Sequence, residues 1–188
     1  MVVAITHFKS LFSEYHHGPT SYIHMLSKPI AEPRDTAIHQ DDIDKLKQTM
    51  TQSVKKMSSK LAFYGSHSTD KALQLNHLAY YMKQNVYFVD CKQLVDKYDK
   101  YIGETEKNLS KLIAQAGSES WILFFDEADA LFGKRSTVKD AHHKYANQEV
   151  SYLFKHLSQY PGLSILSLTK KSKLENIQYV VDSVISFR

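Results

Sequence analysis

The sequence predicts an α/β fold built on a parallel sheet of about five strands. Short apolar runs alternate with segments of helical periodicity, a pattern typical of βαβ units. One run, Trp121–Phe125, is continuously apolar, as expected for a strand buried on both faces of a parallel sheet. With 188 residues, the chain has the length of one such domain.

The predicted elements follow in order along the chain. Apolar residues at spacings of three and four predict an amphipathic helix between Ala37 and Val54. The apolar runs predict strands at Leu61–Tyr64, Val86–Val89, Trp121–Phe125, Leu163–Leu168 and Ser183–Phe187. Helical periodicity predicts helices around Leu75–Met82, Asn108–Ala116 and Asn147–Tyr160.

Residues 1–36 differ from the rest of the chain. They hold three of the four prolines and the turn signal His16-His17-Gly18-Pro19, and they lack a long periodic stretch. We therefore expect an N-terminal extension that is poorly packed or serves as a docking arm. Residues 37–188 would then form the core domain.

Composition narrows the class of protein. Hydrophobic residues make up 43% and charged residues 23%, fractions that exclude a disordered chain, a fibre and a disulfide scaffold. The net charge of +4 comes from lysine, since the only arginines are Arg34, Arg135 and Arg188. Because nucleic-acid grooves favour the bidentate guanidinium group, this balance argues against a nucleic-acid partner.

The cysteine count and the hydropathy pattern predict a location. Cys91 is the only cysteine, so no intramolecular disulfide can form, which is typical of a reducing compartment. No window approaches the roughly 18 consecutive apolar residues that a membrane-spanning helix needs. We therefore expect a cytoplasmic protein that does not associate with membranes.

The loop after the first predicted strand resembles a phosphate-binding pattern. Residues 65–72 overlay G-x-x-x-x-G-K-[ST], with Gly65 and Lys71 at the first glycine and the lysine. Asp70 stands at the second glycine and Ala72 at the hydroxyl position. The loop is either an eroded nucleotide site or an ordinary strand-to-helix turn with Asp70 near the first helical turn.

An acidic pair, Asp126-Glu127, follows the continuously apolar strand. Nucleotide hydrolysis needs such a pair, with one carboxylate to organise Mg²⁺ and its waters and the next to polarise the attacking water. The alternative is structural, because two acidic residues also stabilise a helix N-terminus.

Longer segments resemble a known family. Trp121–Ser136 resembles the Walker B segment of AAA-type ATPases, and Lys100–Leu109 is similar to the segment that bears their central-pore loop. The resemblance continues through Val138–Leu153 and Leu163–Leu166, and it looks especially like the AAA ATPases associated with contractile injection systems. It covers Ile38–Phe187 and implies a P-loop NTPase-like three-layer sandwich, ATP and Mg²⁺ as cofactors, and other protein subunits as partners in a homo- or hetero-hexameric ring.

The resemblance also implies roles for individual residues. Nucleotide contacts would come from the first loop, through Gly65, Thr69 and Lys71. Asp126 would coordinate Mg²⁺ through water, Glu127 would activate the attacking water, and Thr169 would sense the γ-phosphate.

Several positions depart from the family pattern. Ser68 and Asp70 replace glycines that let backbone N–H groups wrap the phosphates. A carboxylate about 4 Å from a phosphate oxygen costs on the order of 4 kcal/mol at an effective dielectric of 20, which is roughly a thousandfold in affinity. Ala72 removes a hydroxyl ligand of Mg²⁺. Around Tyr179–Asp182, where the resemblance leads us to expect a trans-acting arginine, there is none.

We also expect the core to lack the helical lid that follows it in the family. Together these departures predict an AAA-type core with weakened ATP binding and weak or lost hydrolysis. The alternatives are a non-catalytic pseudo-ATPase that acts as an assembly or adaptor subunit, a low-activity ATPase that remodels protein assemblies, and a remnant of a longer ATPase.

Two further segments have an alternative interpretation each. Tyr101–Gly103 is either a substrate-gripping pore loop or an exposed turn before a helix. His142-His143 superficially suggests metal ligands, but adjacent residues point in different directions on a helix, which favours a solvated face.

Overall fold

The computed structural model describes residues 3–30, 48, 58–98, 104–119, 121–132 and 152–187. Within these residues, seven strands form one sheet in the order β1-β2-β4-β5-β6-β3-β7. The strands are β1 (Phe12–His17), β2 (Ile23–Pro29), β3 (Ser59–Tyr64), β4 (Val86–Asp90), β5 (Ile122–Asp126), β6 (Leu163–Leu168) and β7 (Ser183–Ser186).

Helices cover both faces of the sheet. They are α1 (Val3–Lys9), α2 (Ser68–Met82), α3 (Cys91–Tyr98), α4 (Glu104–Glu119), α5 (residues 152–159) and α6 (Lys171–Ile177), with a 3₁₀ helix at Ala128–Phe132. Residues of α1 and α2 join one apolar cluster, and residues of α3 to α6 and of the 3₁₀ helix join the other. The molecule is therefore a three-layer α/β sandwich, as the sequence predicts.

The parallel part of the sheet matches the prediction. β4, β5, β6, β3 and β7 run parallel to their neighbours, which confirms about five parallel strands. All six residues of β6 are buried, as are the first four of β5. Continuous apolar runs specify these strands well because both faces of a central parallel strand are covered by helices.

The expectation of a poorly packed N-terminal arm is wrong for residues 3–30. β2 pairs antiparallel with β4, and β1 pairs antiparallel with β2. Phe8 of α1 is fully buried, and its ring centroid lies 5.0 Å from that of Phe88 and 5.2 Å from that of Phe124. The prolines that suggested a loop do not interrupt the strands, since Pro19 lies in the hairpin turn and Pro29 ends β2.

Some predictions concern residues outside the described part of the chain. The helix predicted over residues 37–54 lies outside it, apart from residue 48, and so do residues 101–103 and the histidines at 142 and 143. The helix predicted at Asn147–Tyr160 is observed over residues 152–159. No helix in the described ranges combines the length and apolar character that a membrane span requires.

Candidate functional site

The predicted site residues meet at one edge of the sheet. Because β3, β5 and β6 are parallel, their carboxyl ends lie at the same edge. Gly65 follows β3, Asp126 ends β5, and Thr169 follows β6. The backbone N–H of Gly65 donates a hydrogen bond to the carbonyl oxygen of Leu168 at 3.0 Å, which joins two of these strand ends directly.

Lys71 reaches this edge from α2. Its side chain is only 3% exposed, and its Nζ donates to Ser167 Oγ at 3.1 Å and to the Leu168 carbonyl oxygen at 3.0 Å. Burial lowers the pKa of the Lys71 ammonium group, while the charges of Asp126 and Asp129 partly oppose this shift. The ammonium group is thus engaged by the end of β6.

Ser167 links Lys71 to the acidic pair. Its hydroxyl accepts from Lys71 Nζ, and it also acts to lower the pKa of the Asp126 carboxyl group. Burial raises the pKa of Asp126 from 3.8 to about 6 and is the largest influence on that group. The negative charge of Glu127 adds to the rise, whereas a backbone hydrogen bond at Glu127, the charge of Lys71 and the Ser167 hydroxyl oppose it.

Sequence reasoning missed Ser167. The available signal was a polar residue close to the carboxyl end of a buried strand that is apolar apart from Ser164 and Ser167. Ser167 is 3% exposed, so its hydroxyl needs a partner inside the protein. Lys71 Nζ supplies that partner.

Glu127 differs from Asp126 in exposure and backbone conformation. Its side chain is exposed, and its φ of 50° lies in the left-handed region that non-glycine residues rarely adopt. The 3₁₀ helix begins at the next residue, Ala128, so the pair also precedes a helical turn, as its structural interpretation predicts. A helix-starting role and an exposed carboxylate beside the site are compatible.

Asp129 is a second residue that sequence reasoning missed. Its carboxylate accepts hydrogen bonds from Thr169 N at 2.7 Å, Thr169 Oγ1 at 3.0 Å and Lys170 N at 3.0 Å. The 3₁₀ helix is thereby tied to the loop after β6. Since the Thr169 hydroxyl donates to this carboxylate, its proton is already used in the observed arrangement.

The turn that carries the phosphate-binding pattern is short. Only residues 65–67 lie between β3 and α2, because α2 begins at Ser68. The backbone N–H of Lys71 donates to the His67 carbonyl oxygen at 3.2 Å, a helical hydrogen bond. Thr69 is exposed, and Asp70 lies in the first turn of the helix. This geometry is that of a strand-to-helix turn.

The close approach of β7 explains why a glycine stands at position 65. Gly65 has a φ of 139°, and a Cβ there would lie 2.0 Å from the carbonyl oxygen of Phe187. The backbone N–H of Phe187 donates to the Tyr64 carbonyl oxygen at 2.7 Å and holds that segment in place. Packing alone therefore requires this glycine.

The start of α2 determines what the first loop offers to a phosphate group. A phosphate-binding loop presents unpaired backbone N–H groups around the anion. Here α2 begins at Ser68, so such groups can come only from the short turn and from the first turn of the helix. Ala72 is fully buried in an apolar cluster and offers no metal ligand. Within the described ranges, no three His, Cys, Asp or Glu side chains group as metal ligands, so Asp126 belongs to no such cluster.

The fold and the edge together define a class of protein. A parallel sheet between helical layers, with a lysine and an acidic pair at its carboxyl edge, is the core of a P-loop-type nucleoside triphosphatase. The sequence model of the ATPase family associated with various cellular activities (AAA) matches residues 61–176, more than half of the chain. The chain belongs to the AAA ATPase family. No curated protein sequence matches it.

Proposed function

We propose that this chain is an AAA ATPase core in which ATP binding is weak and hydrolysis is weak or lost, and that it acts as an assembly or adaptor subunit. One observation carries the proposal: the Lys71 ammonium group is buried and donates to Ser167 Oγ and the Leu168 carbonyl oxygen. The residue best suited to hold a phosphate is thereby committed to the protein's own sheet.

The cost of releasing Lys71 supports the proposal. Hydrogen bonds from a charged donor each contribute about 1.5–3 kcal/mol, and Lys71 would have to give up one or both of its bonds to move its ammonium group toward a phosphate. Unwinding the first turn of α2 is also required if residues 68–70 are to wrap the anion. The Asp70 carboxylate then adds a repulsion of about 4 kcal/mol at close range. All three costs fall on the same loop and oppose phosphate binding.

A second candidate is a low-activity ATPase that remodels protein assemblies. The observation that favours it is the connected network of Lys71, Ser167 and Asp126, with the exposed Glu127 beside it. A carboxyl group whose pKa is raised to about 6 is typical of functional sites. Both candidates retain the acidic pair and differ in whether the first loop opens.

Protein subunits are the partners we propose. The resemblance to AAA ATPases of contractile injection systems supports a homo- or hetero-hexameric ring in the cytoplasm. The segment between α6 and β7 exposes apolar side chains, with Tyr179 86% and Val180 43% exposed. Because this is where the family resemblance leads us to expect a trans-acting arginine, an aromatic residue there suits a protein contact better than γ-phosphate contact.

Nucleotide binding tests the proposal directly. We expect a fluorescent ATP analogue with Mg²⁺ to show no saturable binding up to about millimolar concentration, the range set by a loss of several kcal/mol. Phosphate release should equal that of a Lys71→Met control. Micromolar binding that Lys71→Met abolishes would contradict the proposal and support the low-activity ATPase.

A restoring variant separates loop chemistry from the rest of the site. Ser68→Gly, Asp70→Gly and Ala72→Ser together should bring back measurable binding, while hydrolysis stays low. Serine is chosen at position 72 because Ala72 is fully buried and a β-branched residue would crowd it. Adding Lys71→Met should remove the regained binding. Turnover by the triple variant at rates usual for active ATPases would show that the missing arginine matters little.

A further inference from the structure

The hairpin of β1 and β2 carries a cluster of donor side chains away from the strand ends described above. Tyr15 and His17 lie on one face of β1, because alternate residues of a strand share a face. His17 is the register partner of His24 on β2. The neighbouring pair is joined by a hydrogen bond from Gly18 N to the Ile23 carbonyl oxygen at 2.8 Å. His17 and His24 therefore occupy a non-hydrogen-bonded pair, where cross-strand side chains approach most closely.

Three donor atoms converge within this cluster. The Tyr15 hydroxyl oxygen lies 2.7 Å from His24 Nδ1 and 3.3 Å from His17 Nδ1. The two imidazole centroids are 5.7 Å apart. His24 is 6% exposed and is held against Phe88, whereas His17 is exposed. The cluster thus combines one fixed ligand with one that solvent reaches.

The hydrogen bonds of this cluster are shared among its three side chains. The Tyr15 hydroxyl has one proton and can donate to only one of the two Nδ1 atoms. The other ring must donate its own Nδ1 proton to the hydroxyl oxygen or leave the contact unmade.

We propose that Tyr15, His17 and His24 bind one divalent transition-metal ion, with Cu²⁺ bound more tightly than Zn²⁺. Two imidazole nitrogens and a phenol oxygen form a donor set that suits both ions, and Cu²⁺ has the higher intrinsic affinity for such ligands. The bound ion would replace the Tyr15 hydroxyl proton, which is released to solvent, and would cross-link the two outermost strands at this edge of the sheet.

Lys9 sets a limit on the affinity of this site. Its ammonium nitrogen lies 3.8 Å from the centre of the Tyr15 ring, and its positive charge opposes a second cation nearby. Removing that charge should strengthen metal binding. We therefore expect Lys9→Gln to tighten Cu²⁺ binding about threefold or more, an effect that a merely structural cluster would not show.

The test uses the full chain without an affinity tag, after treatment with a chelator, titrated with Cu²⁺ alone and with Zn²⁺ alone. We expect one tight equivalent by calorimetry and nitrogen hyperfine structure in the electron paramagnetic resonance spectrum of the copper complex. His17→Ala should weaken binding about tenfold or more, since an exposed ligand is lost without disturbing the fold. Tyr15→Phe should remove the phenolate-to-copper absorption band.

His16→Ala is the matched control, because His16 is exposed on the same strand but points to the opposite face. The Cu²⁺ affinity of the His16→Ala variant should equal that of the wild type. The proposal is overturned by wild-type protein that shows no saturable binding, by equal affinity in His17→Ala, or by a loss in His16→Ala as large as in His17→Ala. None of these outcomes depends on ATP binding.

Discussion

Lys71 is a residue type suited to phosphate binding, but its ammonium group here donates hydrogen bonds within the protein. It is 3% exposed, and its charge is met by the Ser167 hydroxyl, the Leu168 carbonyl oxygen and the nearby Asp126. Gly65 also has two explanations. It matches the phosphate-binding pattern, and the Phe187 carbonyl oxygen leaves no room for a Cβ at this position. Both residues match a phosphate-binding pattern, and both have structural partners.

The raised pKa of Asp126 gives a stability prediction at the residue scale. Between pH 3.8 and about 6 the folded protein holds a proton that the unfolded chain has released, so stability falls as pH rises through this window. The penalty then persists above about pH 6. Asp126→Asn removes it, and we expect this variant to be more stable at pH 8 by about 1–3 kcal/mol, with the difference vanishing near pH 4.

Urea unfolding at pH 4, 6 and 8 measures this difference. Asp96→Asn, at an exposed position of α3, is the matched control and should change stability by less than about 0.5 kcal/mol at each pH. An Asp126→Asn variant that is less stable than the wild type at pH 8 would mean that the ionised carboxylate contributes net stability through Lys71 and Ser167.

At the scale of elements, the N-terminal hairpin extends the sheet beyond the parallel core. β2 pairs with β4 over four residues, and α1 covers the adjacent apolar cluster with Phe8. The apolar runs of β3 to β7 were readable from the sequence because each run is local. The hairpin was not, since its strands mix histidine, serine and lysine with apolar residues and β2 pairs with a strand about 60 residues further along.

Truncating Phe8 tests whether this hairpin unit is part of the core. Phe8→Ala should lower the free energy of unfolding by about 3–5 kcal/mol, because it removes a buried ring that contacts Phe88 and Phe124. Denaturant unfolding monitored by circular dichroism gives the value. Tyr81→Ala, at a position 61% exposed on α2, should change the free energy of unfolding little. Equal effects of the two substitutions would support the expectation of a poorly packed N-terminal extension.

At the scale of the whole molecule, the sheet order decides which residues share an edge. β6 lies between β3 and β5, so Ser167 stands between the lysine of one loop and the acidic residue of the other. In an active ATPase, nucleotide binding can change assembly only through a difference in affinity between states. Under the function that we propose, Lys71 stays bonded to the end of β6 and ATP gains little such difference.

We therefore expect the mass of the particle in solution to be the same with and without ATP and Mg²⁺. Static light scattering at several protein concentrations measures that mass, and Lys71→Met provides the nucleotide-independent reference. An increase in mass on adding ATP that Lys71→Met abolishes would contradict the proposed weak binding and favour the low-activity ATPase.

The sequence by itself determined the parallel α/β core, the family and the positions of the acidic pair and Lys71, because apolar runs and short motifs are local along the chain. Only the tertiary structure decided what Lys71 contacts, since its partner Ser167 lies 96 residues away and is brought close by the strand order. The same holds for the N-terminal hairpin and for the convergence of Tyr15, His17 and His24. Such contacts depend on pairing and register, which no local pattern specifies.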